Sequence, residues 1–311
     1  MRTFELALFA CVVVPIAACG GAPAHTEAPA AAPASAAPST SAEPSPTPLA
    51  SASSADATPT ATGAAGKGGD KGPFHFTEYA GPKVKAKIDT QKVWAIEPVG
   101  EKNEWDLLKI MREDFGRIEG DEVVVKHFDG AEIFVPGALV LAAKPAVGLK
   151  KGDAVMADVA AANAHARVVS IDAGSGSLAV KYWWAGSASD AKLEPDQVVK
   201  MDDKVSYGAA VAWKKDGAWQ RGQLAGGDGK TAFVLDGDDR AALVPFKELV
   251  AMRIARLLKK GDKVWASDFG PLVPGKITDV VDGGVAYKVK LDKGASPKDP
   301  IAFDKVTAPL E

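Results

Sequence analysis

Tyr182-Trp183-Trp184 is the densest aromatic cluster of the chain, and an exposed indole there could stack on a sugar ring or a partner's side chain. Neighbours on a strand face opposite sides, so one tryptophan is expected to pack inward while the other faces solvent. A third, Trp213, follows small residues and precedes lysines in Ala210-Val-Ala-Trp-Lys-Lys215. Trp183, Trp184 and Trp213 are the candidate ligand-binding residues. Other chemistry is poorly provided for. His75, His127 and His165 lie in different segments with no partner one helical turn away, which is no pattern for a metal site. Asp236-Gly-Asp-Asp239 lacks the central glycine and the twelfth-position glutamate of a calcium loop and reads as a solvated turn. Glu113-Asp114 and Asp202-Asp203 are sequence neighbours whose carboxylates point apart, a poor arrangement for acid–base work. There is no G-x-S-x-G elbow, H-E-x-x-H pair or phosphate-binding loop. No catalytic residue, cofactor or metal ligand is expected.

Both cysteines, Cys11 and Cys19, precede residue 20, so disulfides, thiol catalysis and Cys-based zinc sites are excluded from everything that follows. Arg2 precedes an apolar run, Leu6–Ala18, that is as long as a signal-peptide core and shorter than the roughly 20 apolar residues of a membrane span. Ile16-Ala17-Ala18-Cys19 resembles the lipobox of bacterial lipoproteins: a branched aliphatic, two small residues, then the cysteine. The resemblance implies that residues 1–18 are a removed signal peptide. It also implies that Cys19 carries a diacylglycerol on sulfur and a further acyl chain, such as palmitate, on its new amine. One acyl chain anchors only marginally, whereas two or three hold durably. Gly20, with no aspartate after Cys19, points by that family's sorting rule to the outer rather than the inner membrane.

The chain then splits by composition. Residues 20–73 are Ala, Pro, Ser, Thr or Gly except at eight positions, with no aromatic, valine or isoleucine that could repay the entropy of ordering. This reads as a disordered spacer, on the order of 170 Å fully stretched and about 40 Å between ends as a coil. Of 37 Lys/Arg and 40 Asp/Glu, only three and five fall before residue 74, leaving 34 against 35 in the remainder. A near-neutral balance lacks the basic excess that displaces counterions from phosphates, so nucleic acid is not an expected partner.

Past the spacer the sequence repeats. Lys150-Lys-Gly-Asp-Ala-Val-Met-Ala157 and Lys259-Lys-Gly-Asp-Lys-Val-Trp-Ala266 share K-K-G-D-x-V-x-A, and Lys92-Val-Trp-Ala95 carries its core. Val155 precedes Val168 by 13 residues, as Val211 precedes Leu224 and Val264 precedes Ile277. Val93 to Ile118 is 25, which implies a 12-residue insertion around Lys102–Met111. That insertion has helical spacing at Trp105, Leu108 and Met111 and is expected to form a short helix. Each unit continues with a β-rich run bounded by turn residues: Glu122–Phe128, Leu178–Trp183, Thr231–Leu235 and Val285–Leu291. Boundaries follow at 74–142, 148–201, 202–254 and 258–311. Units of this length with four or five short strands predict an all-β fold of about four small closed barrels, since closure removes exposed edges.

The third unit, Ala210–Leu224 followed by Thr231–Asp238, resembles a Tudor domain, and Gly261–Ala266 is similar to the opening of agenet and PWWP domains of the same SH3-like barrel class. In that family a cage of aromatic faces holds methylated lysine or arginine by cation–π attraction. Trp213 stands at a cage position and Trp219 at the core-side tryptophan, but Gln220, Leu235 and Asp238 replace the other aromatics. Ala157 and Ala266 stand where Trp213 does. The resemblance therefore implies the fold and leaves the methyl-mark function without its cage.

The expected function is a lipid-anchored envelope protein that presents tandem barrels as a non-enzymatic binding or scaffolding array, with another envelope protein or peptidoglycan as partner. The alternatives are an envelope-polymer hydrolase with carboxylates in a groove between barrels, and a passive structural surface protein. Metabolic labelling with a palmitate analogue is expected to mark the wild-type chain in the membrane fraction, and Cys19→Ala is expected to abolish both the label and the membrane association.

Overall fold

The computed structural model describes residues 74–76, 85–99, 107–127, 130–159 and 162–310. The expected signal peptide, Cys19, the whole of the 20–73 spacer and Trp105 lie outside the described residues. The described regular structure is all strand, save four single turns of 3-10 helix.

The strands form four small sheets built on one plan. In sheet two, Ala154–Val159, Ala162–Ile171, Leu178–Trp184 and Ser187–Leu193 run as an antiparallel meander. A 3-10 turn, Pro195–Gln197, then returns the chain so that Val198–Lys200 pairs antiparallel with the first strand, giving the spatial order 4-3-2-1-5. Sheet three repeats this order with Ala210–Lys215, Ala218–Gly227, Thr231–Asp236, Ala241–Pro245 and Val250–Ala251. Sheet four does so with Lys263–Ala266, Val273–Val281, Ala286–Leu291, Ile301–Ala302 and Val306–Thr307. Sheet one uses Lys92–Val99, Leu107–Glu119, Glu122–Lys126, Glu132–Pro136 and Leu141–Ala142, and adds Phe74–His75 in parallel beside Glu132–Pro136.

The repeated residues have identifiable jobs. In both K-K-G-D copies the aspartate accepts the first lysine's N–H, Lys150 to Asp153 at 3.0 Å and Lys259 to Asp262 at 2.9 Å. The intervening glycines, at φ +90 and +95, donate to the carbonyls of Val168 and Ile277. The motif is a turn that aims the chain into the first strand, and its lysines are exposed. The 13-residue lag ends on the residue just before a bulge in the second strand, at Val168, Leu224 and Ile277. In sheet one the bulge follows Phe115, not Ile118. Phe115 is 22 residues after Val93, so the insertion is nine residues rather than twelve, and Ile118 lies 37% exposed where its supposed counterparts are buried.

The helix expected in that insertion is replaced by strand over Leu107–Met111. Leu108 and Ile110 are both buried while Leu107 is exposed, a period of two that pairing with Lys92–Val99 rewards and a lone helical turn could not. Ser187–Leu193 escapes sequence reading for the opposite reason. It is a polar strand with only Leu193 buried, held by its register with Leu178–Trp184.

The sheets are arranged in a ring, like a four-bladed propeller. The contacts place them around it in the order one, two, four, three. Arg112 of sheet one pairs with Asp196 of sheet two. Arg167 of sheet two lies 4.5 Å from the Phe303 ring of sheet four. Leu272 of sheet four donates to the Trp219 carbonyl of sheet three at 2.7 Å. Leu108 of sheet one donates to the Asp239 carbonyl of sheet three at 2.9 Å, closing the ring. The link from sheet two to sheet three must therefore cross it. Gly208, on that link, has φ +81, and a Cβ there would sit 2.7 Å from the Met156 sulfur, so only glycine fits.

Separate barrel cores are not what the packing shows. One continuous apolar cluster runs through sheets one, three and four, including Trp94, Ile110, Val211, Phe233, Ile277 and Phe303. Strand Ala154–Val159 divides its alternating side chains: Ala154 and Met156 enter this shared cluster, whereas Val155, Ala157 and Val159 join a second cluster private to sheet two. Arg167, 4% exposed, closes the seam. It donates to the carbonyls of Gly284 at 2.9 Å, Ile254 at 3.1 Å and Gly152 at 3.2 Å. Burial pushes its guanidinium below the usual arginine range. Arg167→Ala would leave these carbonyls buried without donors and is expected to cost about 3 kcal/mol, read as a shift in the denaturant midpoint at unchanged slope.

Candidate functional site

Sheets one, two, three and four all contribute to a cleft of about 680 Å³. Their strand ends deliver its walls because the ring closes there. Lys109 enters from sheet one, Trp183 and Trp184 from sheet two, Arg221 and Asp239 from sheet three, and Asp304 from sheet four. Trp183 is half-buried against the shared core, and Trp184 is 49% exposed. Strand alternation thus splits the pair as expected, but both border the same cleft.

Trp213 lies elsewhere. It is 6% exposed and lines a second cleft of about 590 Å³ on sheet three, with Gln220, Asp238 and Glu248. Arg221, Asp236 and Gly237 border both clefts and form their common wall. The three tryptophans therefore do not converge.

His165 is the hinge pin of the first cleft. Its Nε2 lies 2.9 Å from the Gly208 carbonyl, an acceptor only, so that nitrogen carries a proton. Its Nδ1 lies 3.2 Å from the Asp304 carboxylate. Gln223 donates to the same Gly208 carbonyl at 3.2 Å. Asn163 donates to the Ile110 carbonyl, tying sheet two to sheet one. Sequence reading set His165 aside as a solitary histidine. Its partner is 139 residues away, and no local pattern announces it.

The carboxylates are held in different ways. Burial tends to raise the Asp304 carboxyl, but the His165 hydrogen bond and the charges of His165, Arg221 and Lys305 outweigh it and hold the group below the usual aspartate range. Asp268 pairs with Lys305 at 3.1 Å. Asp236 spends its carboxylate on the backbone of its own turn, accepting from Asp238 at 2.9 Å and Arg240 at 3.0 Å. That geometry makes Asp236–Asp239 a turn, as its composition implies. Asp239 behaves otherwise: burial pushes its carboxyl up, opposed chiefly by Lys109. Its carboxylate makes no hydrogen bond or ion pair among the described residues.

Arg221 is 9% exposed and donates to the Asp268 carbonyl at 2.8 Å, while its Nε has no partner. Burial pushes the guanidinium down, and Asp304, Asp268, Asp238 and Asp239 counteract it. His127 lies 3.8 Å from the buried Glu97, away from both clefts. Among the described residues no three His, Cys, Asp or Glu side chains gather as a metal ion would require, and no helix is long and apolar enough to cross a membrane. No protein-family model matches the chain, and no curated protein is similar to it.

The His165–Asp304 pair joins sheets two and four, so it sets an acid limit on stability. A carboxyl held below its unfolded value stabilises above that value and loses the contribution as pH falls through the depressed folded one. Asp304→Asn is expected to lower stability by on the order of 1–2 kcal/mol near neutral pH. Thermal melts of the two proteins should converge as the solution is acidified through and below the ordinary aspartate range.

Proposed function

We propose that this chain is a lipid-anchored protein of the cell envelope, held at the outer rather than the inner membrane, whose four sheets are small SH3-like barrels joined into one non-enzymatic binding head. Each sheet supports the barrel reading through the 4-3-2-1-5 order, the 3-10 turn before the fifth strand and the bulge that lets the long second strand bend between two halves. The observation that carries the binding reading is the cleft. All four sheets contribute to its lining, and it holds an exposed indole, a half-buried one and an unpartnered carboxylate. Three of its other carboxylates are already engaged, Asp304 by His165, Asp268 by Lys305 and Asp236 by its turn, which suits a preformed recognition surface better than proton transfer.

Position follows from the leader. Acyl chains on Cys19 would confine the head within spacer length of one membrane, raising the effective concentration of weak contacts with a partner in the same envelope. That partner is another envelope protein or peptidoglycan. The full chain is expected to co-sediment with purified peptidoglycan or to capture a discrete envelope protein from detergent-solubilised cells. Trp184→Ala should reduce that recovery at least fivefold with no change in melting temperature. Failure of the wild type both to sediment and to capture a partner would defeat the proposal, and recovery untouched by Trp184→Ala would move the contact out of the cleft.

One observation favours a second reading. Asp239 and Asp304 share the cleft while their environments push their carboxyls in opposite directions, the arrangement by which a hydrolase separates acid from base. Incubation with purified peptidoglycan releasing soluble fragments, and losing that release on Asp239→Asn, would establish it; the binding reading expects no release.

A further inference from the structure

We infer that Trp184 and Asp239 form a site for a primary alkylammonium group, and that Lys109 of the same chain occupies it until a ligand displaces it. The inference rests on reading the first cleft as a ligand site and names the chemistry of what enters.

The backbone puts Lys109 there. Leu108 donates its N–H to the Asp239 carbonyl of sheet three, and the Ile110 carbonyl accepts from Asn163 of sheet two. Leu108 and Ile110 are buried, so the residue between them faces the other way, over the cleft. Its Nζ hangs 5.9 Å from the centre of the Trp184 ring, at the outer limit of a cation–π contact. It is also the strongest opposing charge felt by the Asp239 carboxylate, yet forms no ion pair with it. The lysine is thus drawn toward an aromatic face and a carboxylate from two other sheets without completing contact with either. A free ammonium, unrestrained by the pinned strand, can approach both more closely.

The surroundings agree on sign. The titratable lining of this cleft comprises Asp236, Asp239, Asp268, Asp299 and Asp304 against Lys109, Arg221, Lys305 and His165, an acidic majority even with the histidine counted as a cation. An entering cation is attracted; an anion is repelled. The volume, about 680 Å³, exceeds one lysine side chain, so the group arrives on a larger carrier. Two sources bear it, a free polyamine and the lysine side chain of a peptide.

Calorimetric titration of the full chain with spermidine, and separately with a capped Ala-Lys-Ala peptide, tests this at low salt. Lys109→Ala, which removes the competitor held in place, should tighten binding of at least one probe about threefold or more. Trp184→Leu and Asp239→Asn should each weaken it about fivefold or more, at unchanged melting temperature. The more tightly bound probe identifies the source. The inference is overturned if neither probe binds below about 10 mM, or if Lys109→Ala leaves both affinities unchanged or weaker. Failure of the amines while Trp184→Ala still abolishes partner recovery would sink the cation site alone. Amine binding with partner recovery unaffected would sink the wider reading of the cleft instead.

Discussion

A five-stranded sheet of about fifty residues buries only a marginal apolar core by itself, and the pooling of apolar faces between sheets shapes this structure. Sheets one, three and four pool their inner side chains in one cluster, from Trp94 to Phe303. Sheet two splits a single strand, with Met156 turned toward the common cluster and Val155 toward a private one. Because the apolar faces are spent on one another, the ring holds together without long connections or helices to cover it. The same requirement explains why glycine recurs at the closest approaches. Gly226 stands at φ +134 where any Cβ would collide with the Ala138 carbonyl, letting sheet three press against the 3-10 turn of sheet one.

Where the sheets meet, backbone carbonyls at the seams lie outside the strand ladders. Arginine resolves this because its planar fork reaches several carbonyls at once while remaining charged. Arg167 serves the chain between sheets three and four as well as Gly284 of sheet four, and Arg221 reaches the Asp268 carbonyl across the next seam. Burial pushes both guanidinium groups below the usual arginine range, opposed at Arg221 by the surrounding aspartates. Of the two, Arg221 also lines the cleft, so one seam arginine contributes to its charge.

A site assembled from four sheets is sensitive to how they sit together. Trp184, Asp239 and Lys109 line one cleft from three different sheets, and the hydrogen bonds of Leu108 and Asn163 clamp the start of the Lys109 strand between two of them. Binding there would in turn reinforce the seams, since an occupant touching several sheets stabilises the ring by mass action.

The amino-acid sequence by itself determined the local grammar. K-K-G-D became a glycine turn capped by aspartate, the 13-residue lag marked the bulge in three sheets of four, and valine-rich runs became strands, because each depends on residues within one hairpin. It misled where local spacing was ambiguous, over Leu107–Met111, whose helical period yielded to pairing with Lys92–Val99. It was silent on Ser187–Leu193, whose polar side chains carry no burial signal. The tertiary structure alone decided that the units share a core, that the ring runs one, two, four, three, and that Trp184 and Asp239 line one cleft while Trp213 lines another. Those outcomes rest on contacts such as His165 to Asp304, 139 residues apart, between side chains whose neighbours in sequence look like any exposed strand or turn.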